Sequence, residues 1–327
     1  MRILFITATR IGDAILSTGL LSYLIEQHPD ARITVAAGPA AAPLFAPIPQ
    51  VDSVIVLRKK RMSAHWAGLW RQCIGTRWDI VIDLRRSALS WLLLAGKRHI
   101  MPPPGASMHR VEFLAATLGL AKDPPSPACW TAPADDAFAE RLIPPGTPVL
   151  AIGAAANWPG KQWRAEYFAT LVQRLTASDG ILPDARIAVF GAPQEREQVQ
   201  PLLDSIAADR RIDLVGQTEL PAAAACLRRC ALFIGNDSGL MHMAAASGTP
   251  TLGLFGPSHT THYAPWGPGT AWVRTQKSYD EIVGAPGYNH RTTGTLMDSL
   301  TVDMAEAASR KLWAEINIRT TPDGESI

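Results

Sequence analysis

The feature that most constrains the fold is a regular alternation of short apolar runs with helix-like patterns. The strand candidates are "ILFITA", "RITVAA", "SVIVL" and "DIVIDL" in the first half, then "PVLAIG", "RIAVFG", "IDLVG", "ALFIG" and "PTLGLFG". Helical patterns lie between them, over residues 13–27, 63–74 and 87–95 and in "RAEYFATLVQRL" and "EREQVQPLLDSI". Near-continuous apolar strands that alternate with helices are typical of parallel sheets covered on both faces.

A proline-rich segment, "AKDPPSPACWTAPADD" at residues 121–136, interrupts this alternation and is predicted to be a linker. The chain has 327 residues, which is enough for two domains. We therefore predict an α/β protein with two doubly wound domains, residues 1–135 and 136–327. Ligands of such folds bind at the carboxyl ends of strands, so we expect the binding site in a cleft between the domains.

Composition excludes several classes of protein. The four cysteines are scattered without a CxxC pair, which argues against a zinc site or a disulfide framework and favours a reducing cytoplasm. No uninterrupted apolar stretch reaches the roughly 18 residues of a spanning helix. We expect a soluble cytoplasmic protein.

Basic residues concentrate in the first half. Residues 1–145 hold 16 Lys and Arg against 11 Asp and Glu, and from Arg58 to Arg110 there are eleven basic residues and two acidic ones. Such a segment attracts an anionic partner, which leaves an acidic substrate, a membrane surface and nucleic acid open, unless it is only a solvated face. Without a recognisable binding module, nucleic acid is the weakest of these.

The first candidate site follows the first strand, in "TATRIGDAILSTGLL". Asp13 lies in the first turn of the next helix, where a capping acid is the simpler interpretation and a general base the functional one. A dinucleotide-binding fingerprint needs three glycines here and only Gly12 is present, which argues against NAD or FAD.

The second candidate is "GAAANWPGKQW", residues 153–163. It is not a P-loop, because six residues separate Gly153 from Gly160 and Gln162 stands where Ser or Thr is required. Lys161 nevertheless lies at a strand end just before a helix, where it can meet a phosphate as a point charge. An exposed loop lysine is the alternative.

The third candidate is "GNDSGLMHMAAASG", residues 235–248. Asp237 is predicted to cap a helix that begins near Ser238, whose first N–H groups would bind phosphate. Gly239 would allow close approach of a ligand. His242 would face the same side as Ser238, unless it is a hydrogen-bonded core histidine.

A fourth candidate is Glu195 in "FGAPQERE", again at a strand end. Its carboxylate could accept hydrogen bonds from a ribose or sugar hydroxyl, although an ordinary first-turn helix acid explains it equally well.

Four of these motifs together resemble glycosyltransferase family 9, typified by the ADP-heptose:lipopolysaccharide heptosyltransferases. They are "TRIGDAILSTGLL", the "KQW" of residues 161–163, "GAPQERE" and "GNDSGLMHMAAASGTPTLGLFGPS". The last motif has Ser238 and Ser258 where the family usually has Thr. The resemblance implies a GT-B fold, in which two Rossmann-like domains face each other across a cleft, the N-terminal one for the acceptor and the C-terminal one for the nucleotide-sugar donor.

The resemblance also implies roles for individual residues. Asp13 matches the catalytic base. The donor diphosphate and nucleotide would be held by six residues: Lys161, Glu195, Asp237, Ser238, Gly239 and His242. Acceptor contacts are expected from five basic residues: Arg10, Arg58, Lys59, Lys60 and Arg61.

The implied activity is inverting transfer of heptose from ADP-heptose to a lipopolysaccharide-core or related glycolipid acceptor, at the cytoplasmic face of the inner membrane. No cofactor is expected. The sequence has no Asp-x-Asp pair, so no metal is expected either. The last helix, about residues 303–316, is expected to pack on the N-terminal domain. Two alternatives remain open, a sugar-nucleotide epimerase of the same layout and a non-catalytic nucleotide-sugar binding protein.

Overall fold

The computed structural model describes residues 1–59, 64–103, 107–289 and 292–320. The chain forms two compact units, Met1–Pro133 and Ala134–Ile327. Each unit contains a wholly parallel sheet with helices, so the predicted α/β class with two doubly wound domains is confirmed.

The sheet of the first unit has five strands in the order β3-β2-β1-β4-β5. Its strands are β1 (Arg2–Ile6), β2 (Arg32–Ala37), β3 (Val51–Val56), β4 (Trp78–Asp83) and β5 (Ala95–Ile100). Its helices are α1 (Ile11–Leu16), α2 (Thr18–Gln27), α3 (His65–Cys73) and α4 (Arg110–Ala115). The order of strands reverses between β1 and β4, and ligands of doubly wound sheets bind beyond the carboxyl ends at such a point.

One sequence prediction fails in this unit and another is refined. The helix predicted over residues 87–95 is a single 3₁₀ turn, Ala88–Trp91, after which the chain enters β5. The hydroxyl groups of Ser87 and Ser90 both donate to Asp83 at the end of the preceding strand, β4. The pattern over residues 13–27 forms two helices, α1 and α2, which meet at Ser17.

The proline-rich segment is an ordered part of the first unit where it passes α2. The backbone N–H of Ala128 donates to the Thr18 hydroxyl at 2.9 Å. A Cβ at Gly19 would lie 2.1 Å from the Pro125 carbonyl oxygen, so only glycine permits this approach. Part of the segment predicted as a linker is therefore packed against α2.

The sheet of the second unit has six strands in the order β11-β10-β9-β6-β7-β8. Its strands are β6 (Val149–Gly153), β7 (Arg186–Gly191), β8 (Arg211–Val215), β9 (Leu232–Asn236), β10 (Thr251–Phe255) and β11 (Thr270–Arg274). Its helices are α5 (Pro133–Leu142), α6 (Ala165–Leu175), α7 (Arg196–Ser205), α8 (Leu220–Arg228), α9 (Gly239–Ala246), α10 (Thr260–Tyr263), α11 (Tyr279–Val283) and α12 (Val302–Thr320). Strand order reverses between β6 and β9.

Close contact between β6 and β9 depends on glycine. A Cβ at Gly235 would lie 2.8 Å from the Gly153 carbonyl oxygen and 2.7 Å from the Phe233 ring. The last helix, α12, packs against α6, β10 and β11 of its own unit. Its expected packing on the N-terminal domain stays a prediction. Among the described helices, none is both long enough and apolar enough to cross a membrane.

Candidate active site

Asp13 lies at the carboxyl edge of the first sheet, in the first turn of α1, directly after β1. Its side chain is 21% exposed. Its Oδ1 atom is buried and accepts no hydrogen bond from the described residues, and the helix N-cap is Arg10. The capping interpretation of Asp13 therefore accounts for its place near a helix dipole but not for this buried oxygen.

Arg110 is the partner of Asp13, and sequence reasoning missed it. Its Nε lies 3.4 Å from Asp13 Oδ1, which makes an ion pair without hydrogen-bond geometry. Arg110 is the first residue of α4, and its guanidinium lies 5.4 Å from the Phe113 ring centroid. The pair places one carboxylate and one cation at the point where strand order reverses.

A second carboxylate at this edge, Asp83, has its oxygens engaged in hydrogen bonds from protein groups. It is fully buried at the end of β4 and accepts four hydrogen bonds, from the backbone N–H groups of Arg85 and Ser87 and the hydroxyls of Ser87 and Ser90. Asp83 therefore shapes the following loop, whereas Asp13 keeps an oxygen for another partner.

The basic residues expected to bind the acceptor are placed only in part. Arg10 is exposed at the start of α1, and Arg58 and Lys59 are exposed after β3. Lys60 and Arg61 lie outside the described residues. The acceptor contacts stay a prediction.

In the second unit, Lys161 and Asp237 lie together where strand order reverses. Lys161 follows β6 and Asp237 follows β9, and Lys161 Nζ donates to Asp237 Oδ2 at 2.5 Å. Asp237 is only 6% exposed and Lys161 25%. The pair joins two residues of the predicted donor site by a contact that the sequence did not suggest.

The loop that carries Lys161 is fixed by buried residues that sequence reasoning missed. Asn236 donates to the Ala154 carbonyl at 2.7 Å and accepts from the Trp163 backbone N–H at 3.1 Å. The Trp163 indole donates to the Leu300 carbonyl at 2.7 Å. Because buried polar groups keep one geometry when they are satisfied, Asn236 holds Lys161 in place.

The helix after Asp237 begins differently from its prediction. α9 starts at Gly239 with Ser238 as its N-cap, and Asp237 does not cap it because its carboxylate is taken by Lys161. The Ser238 hydroxyl makes no cap hydrogen bond. Its oxygen and that of Ser258, after β10, are buried and make no hydrogen bond with the described residues. The Ser238 hydroxyl thus remains available at the positive end of α9, and the Ser258 hydroxyl remains available beyond the carboxyl end of β10.

His242 and Glu195 are the other two side chains predicted to hold the donor. His242 is 4% exposed, and its ring centroid lies 6.4 Å from that of Tyr263. Glu195 ends a 3₁₀ turn after β7 and its Oε2 accepts from the Ala192 backbone N–H at 2.7 Å. Glu195 follows β7 and His242 lies in α9, which follows β9, and their contacts with a donor stay predictions.

Comparison with known proteins decides the family. Residues 49–283 match the model of glycosyltransferase family 9 (heptosyltransferase). The chain belongs to glycosyltransferase family 9. It is therefore a glycosyltransferase. This favours the predicted glycosyl transfer over the two alternatives, a sugar-nucleotide epimerase and a non-catalytic nucleotide-sugar binding protein.

Individual members of the family are distant relatives. Lipopolysaccharide heptosyltransferase 2 of Salmonella typhimurium is 24% identical over 326 residues, covering 86% of this chain and 90% of the relative. Lipooligosaccharide heptosyltransferase 2 of Haemophilus ducreyi is 26% identical, covering 81% and 86%.

Solved structures show the same fold. The family 9 glycosyltransferase from Veillonella parvula has a TM-score of 0.77 at 22% identity, covering 96% of this chain and 97% of that one. The E. coli ADP-heptose lipopolysaccharide heptosyltransferase II has a TM-score of 0.73 at 20% identity, covering 97% and 100%. These likenesses confirm the predicted GT-B fold.

Proposed function

We propose that this family 9 glycosyltransferase moves heptose from ADP-heptose to the core of lipopolysaccharide. The names of its relatives, which include an ADP-heptose lipopolysaccharide heptosyltransferase, support both substrate classes. The observation that carries the proposal is the Lys161–Asp237 pair where strand order reverses in the second sheet, beside the start of α9. Doubly wound folds bind their ligands at this position.

The pair suits a diphosphate. An ammonium group has three N–H donors, and Asp237 takes one of them. The other two are left for phosphate oxygens, and Asp237 fixes their direction. The N–H groups at the start of α9 add a second source of positive potential. The hydroxyls of Ser238 and Ser258 supply further donors for the sugar nucleotide.

The proposed reaction inverts the anomeric carbon. An acceptor hydroxyl attacks that carbon while Asp13 takes its proton, and the bond from the carbon to the diphosphate oxygen breaks. Lys161 and the start of α9 stabilise the charge that develops on the departing ADP. Arg110 keeps the Asp13 carboxylate at the carboxyl edge of the first sheet. We propose that no metal takes part, since side chains supply both the base and the cation.

A nucleotide panel tests the donor proposal. Thermal unfolding is measured with ADP, UDP, GDP and CDP, for the wild type, for Lys161→Ala and for the exposed control Lys311→Ala. A ligand at a hundred times its Kd stabilises by about 2.7 kcal/mol, which is readily detected. We expect ADP to stabilise the wild type and Lys311→Ala far more than Lys161→Ala. A preference for another nucleotide would reject ADP-heptose but keep a glycosyl transfer.

A transfer assay tests the complete reaction. The full chain is mixed with ADP-heptose and a lipopolysaccharide core that lacks heptose, with and without EDTA, and ADP release and the glycan mass are followed. We expect the acceptor mass to rise by one heptose in both samples. Activity abolished by EDTA and restored by a divalent cation would reject the metal-free mechanism.

A further inference from the structure

Three apolar side chains project from the first unit within four residues. Trp91, Leu92 and Leu94 are 69%, 65% and 68% exposed, and together we call them the apolar strip. Leu93, between them, is buried and packs with Leu89 in the core of the unit. Single exposed apolar residues are ordinary, but a contiguous patch marks an interaction surface.

The backbone of the strip is held in place by hydrogen bonds, most of which are partly buried. The Arg98 guanidinium donates to the carbonyl oxygens of Ser90 at 2.9 Å, Leu93 at 2.6 Å and Ala95 at 3.1 Å. Asp83 accepts from the Ser90 hydroxyl at 3.0 Å. The exposure of the strip is therefore part of the packed fold, because turning its side chains inward would break these bonds and displace Leu93.

The strip runs along the flank of the first sheet. It begins at the carboxyl end of β4, where Ser90 meets Asp83, and ends near the amino end, where the Trp78 N–H donates to the Leu94 carbonyl at 2.9 Å. Strand β4 lies next to β1, which Asp13 follows. One end of the strip therefore lies at the sheet edge that carries the candidate base.

The surroundings of the strip are basic. Residues 64–100 hold six Lys and Arg against two acids. Of the two acids, Asp83 is buried and accepts four hydrogen bonds, whereas Asp79 is exposed and accepts the Arg2 backbone N–H at 2.7 Å. Arg77, beside Trp78, and Lys97, on the edge strand β5, are both exposed. These two cations, which we call the basic border, flank the strip, because Lys97 follows Leu94 by three residues and Arg77 precedes the Trp78 N–H that donates to the Leu94 carbonyl.

We propose that the apolar strip and its basic border dock the protein on an anionic phospholipid surface. Tryptophan favours the boundary between headgroups and acyl chains, leucine enters the acyl layer, and Lys and Arg bind anionic headgroups. The purpose of this docking, which is to bring the enzyme to a lipid-linked acceptor, rests on the proposed function. The docking itself is measured without any turnover.

Vesicle sedimentation of the full chain tests the docking. The vesicles contain phosphatidylcholine alone or phosphatidylcholine mixed with phosphatidylglycerol. We expect binding to the anionic vesicles that weakens as salt rises. We expect Trp91→Ser/Leu92→Ser/Leu94→Ser to bind at least about tenfold more weakly. The matched control is Trp272→Ser/Ile318→Ser, which removes exposed apolar side chains of the second unit and should bind like the wild type.

A second variant, Arg77→Glu/Lys97→Glu, keeps the apolar side chains and removes the basic border. We expect it to lose the preference for anionic vesicles while its thermal unfolding stays unchanged. The proposal would be overturned if the wild type bound neutral and anionic vesicles equally. Equal binding by all variants would also overturn it. A wild-type dimer that the triple variant converts to a monomer would also overturn it, in favour of a second copy of the chain.

Transfer to a lipid-free core oligosaccharide separates this proposal from the enzyme's proposed function. We expect the triple variant to match the wild type with that acceptor and to be slower with a vesicle-bound one. If no variant transfers heptose but the vesicle results hold, the proposed function fails and the docking stands.

Discussion

The charged pairs of the two units differ in how tightly their partners are held. In the first unit, Asp13 and Arg110 approach to 3.4 Å without a hydrogen bond, and both facing atoms are buried. In the second, Lys161 and Asp237 form a short hydrogen bond on a loop that Asn236 fixes. A group that must change its protonation needs a loosely held partner, whereas a group that only binds charge benefits from a fixed one. The difference fits a base in one unit and a phosphate clamp in the other.

The largest effect is expected from a change at Asp13, the acid of the loosely held pair. Asp13→Asn should lower kcat by about two to four orders of magnitude, because it removes a general base and keeps the shape. Its Kd for ADP, from calorimetry, should stay unchanged. The exposed Asp30→Asn serves as the control. Activity within twofold of the wild type would remove Asp13 from the mechanism.

The next effect concerns the clamp and is measured as stability. Lys161→Ala leaves the buried Asp237 without its cation and should lower the free energy of unfolding by about 1 to 3 kcal/mol in urea. Lys161→Ala/Asp237→Ala should be more stable than Lys161→Ala, because replacing both partners leaves no buried charge. Additive losses in this double-mutant cycle would mean that the two residues are not coupled.

A smaller effect is expected from the cation of the loose pair. Arg110→Ala should lower kcat/KM by no more than about fivefold, since a partly exposed pair contributes up to about 1 kcal/mol. Arg32→Ala, which removes the exposed partner of Asp52, is the control and should leave turnover unchanged. A loss of a hundredfold would instead show that Arg110 touches the reacting groups.

The smallest effect comes from a cluster of three charged residues, Glu306 with Arg174 and Arg310, that has no proposed role in chemistry. Hydrogen bonds from Arg174 and then Arg310 hold the pKa of Glu306 below its ordinary value of 4.5. A lowered pKa in the folded state stabilises the protein above pH 4.5, and this contribution is lost as the pH falls through the lowered pKa.

Glu306→Gln should therefore cost up to about 1 kcal/mol in urea unfolding at neutral pH, with a difference that shrinks in acid. Its kcat should equal that of the wild type. A difference that grows in acid would contradict the direction of the pKa.

Sequence predicted the fold where burial leaves a strong pattern. The central strands are buried on both faces and appear as apolar runs, which identified them. The strands that were missed, β5 and β11, both lie at sheet edges and contain polar or half-exposed residues. The failed helix over residues 87–95 is the reverse case. Its leucines suggested a helix, but its serines are hydrogen-bonded to Asp83 at the end of β4.

For the candidate site, sequence located residues but not their pairings. Asp13, Lys161 and Asp237 each follow a strand, and that rule is local. The partners are tertiary, since Lys161 and Asp237 are 76 positions apart and Arg110 belongs to a different helix from Asp13. Asp237 illustrates the limit. Its place before a helix predicted a cap, and only the folded chain brings Lys161 to its carboxylate.

The Lys161–Asp237 bond also bears on selectivity inside a cell crowded with small anions. A lone lysine at this sheet edge would attract inorganic phosphate and acidic metabolites, whereas Lys161 is paired with the buried Asp237, so the pair has no net charge to offer before the proposed donor binds. Simple anions therefore gain little by entering. The proposed sugar-nucleotide donor would gain more, because it brings two phosphates, a sugar and a base whose contacts add up.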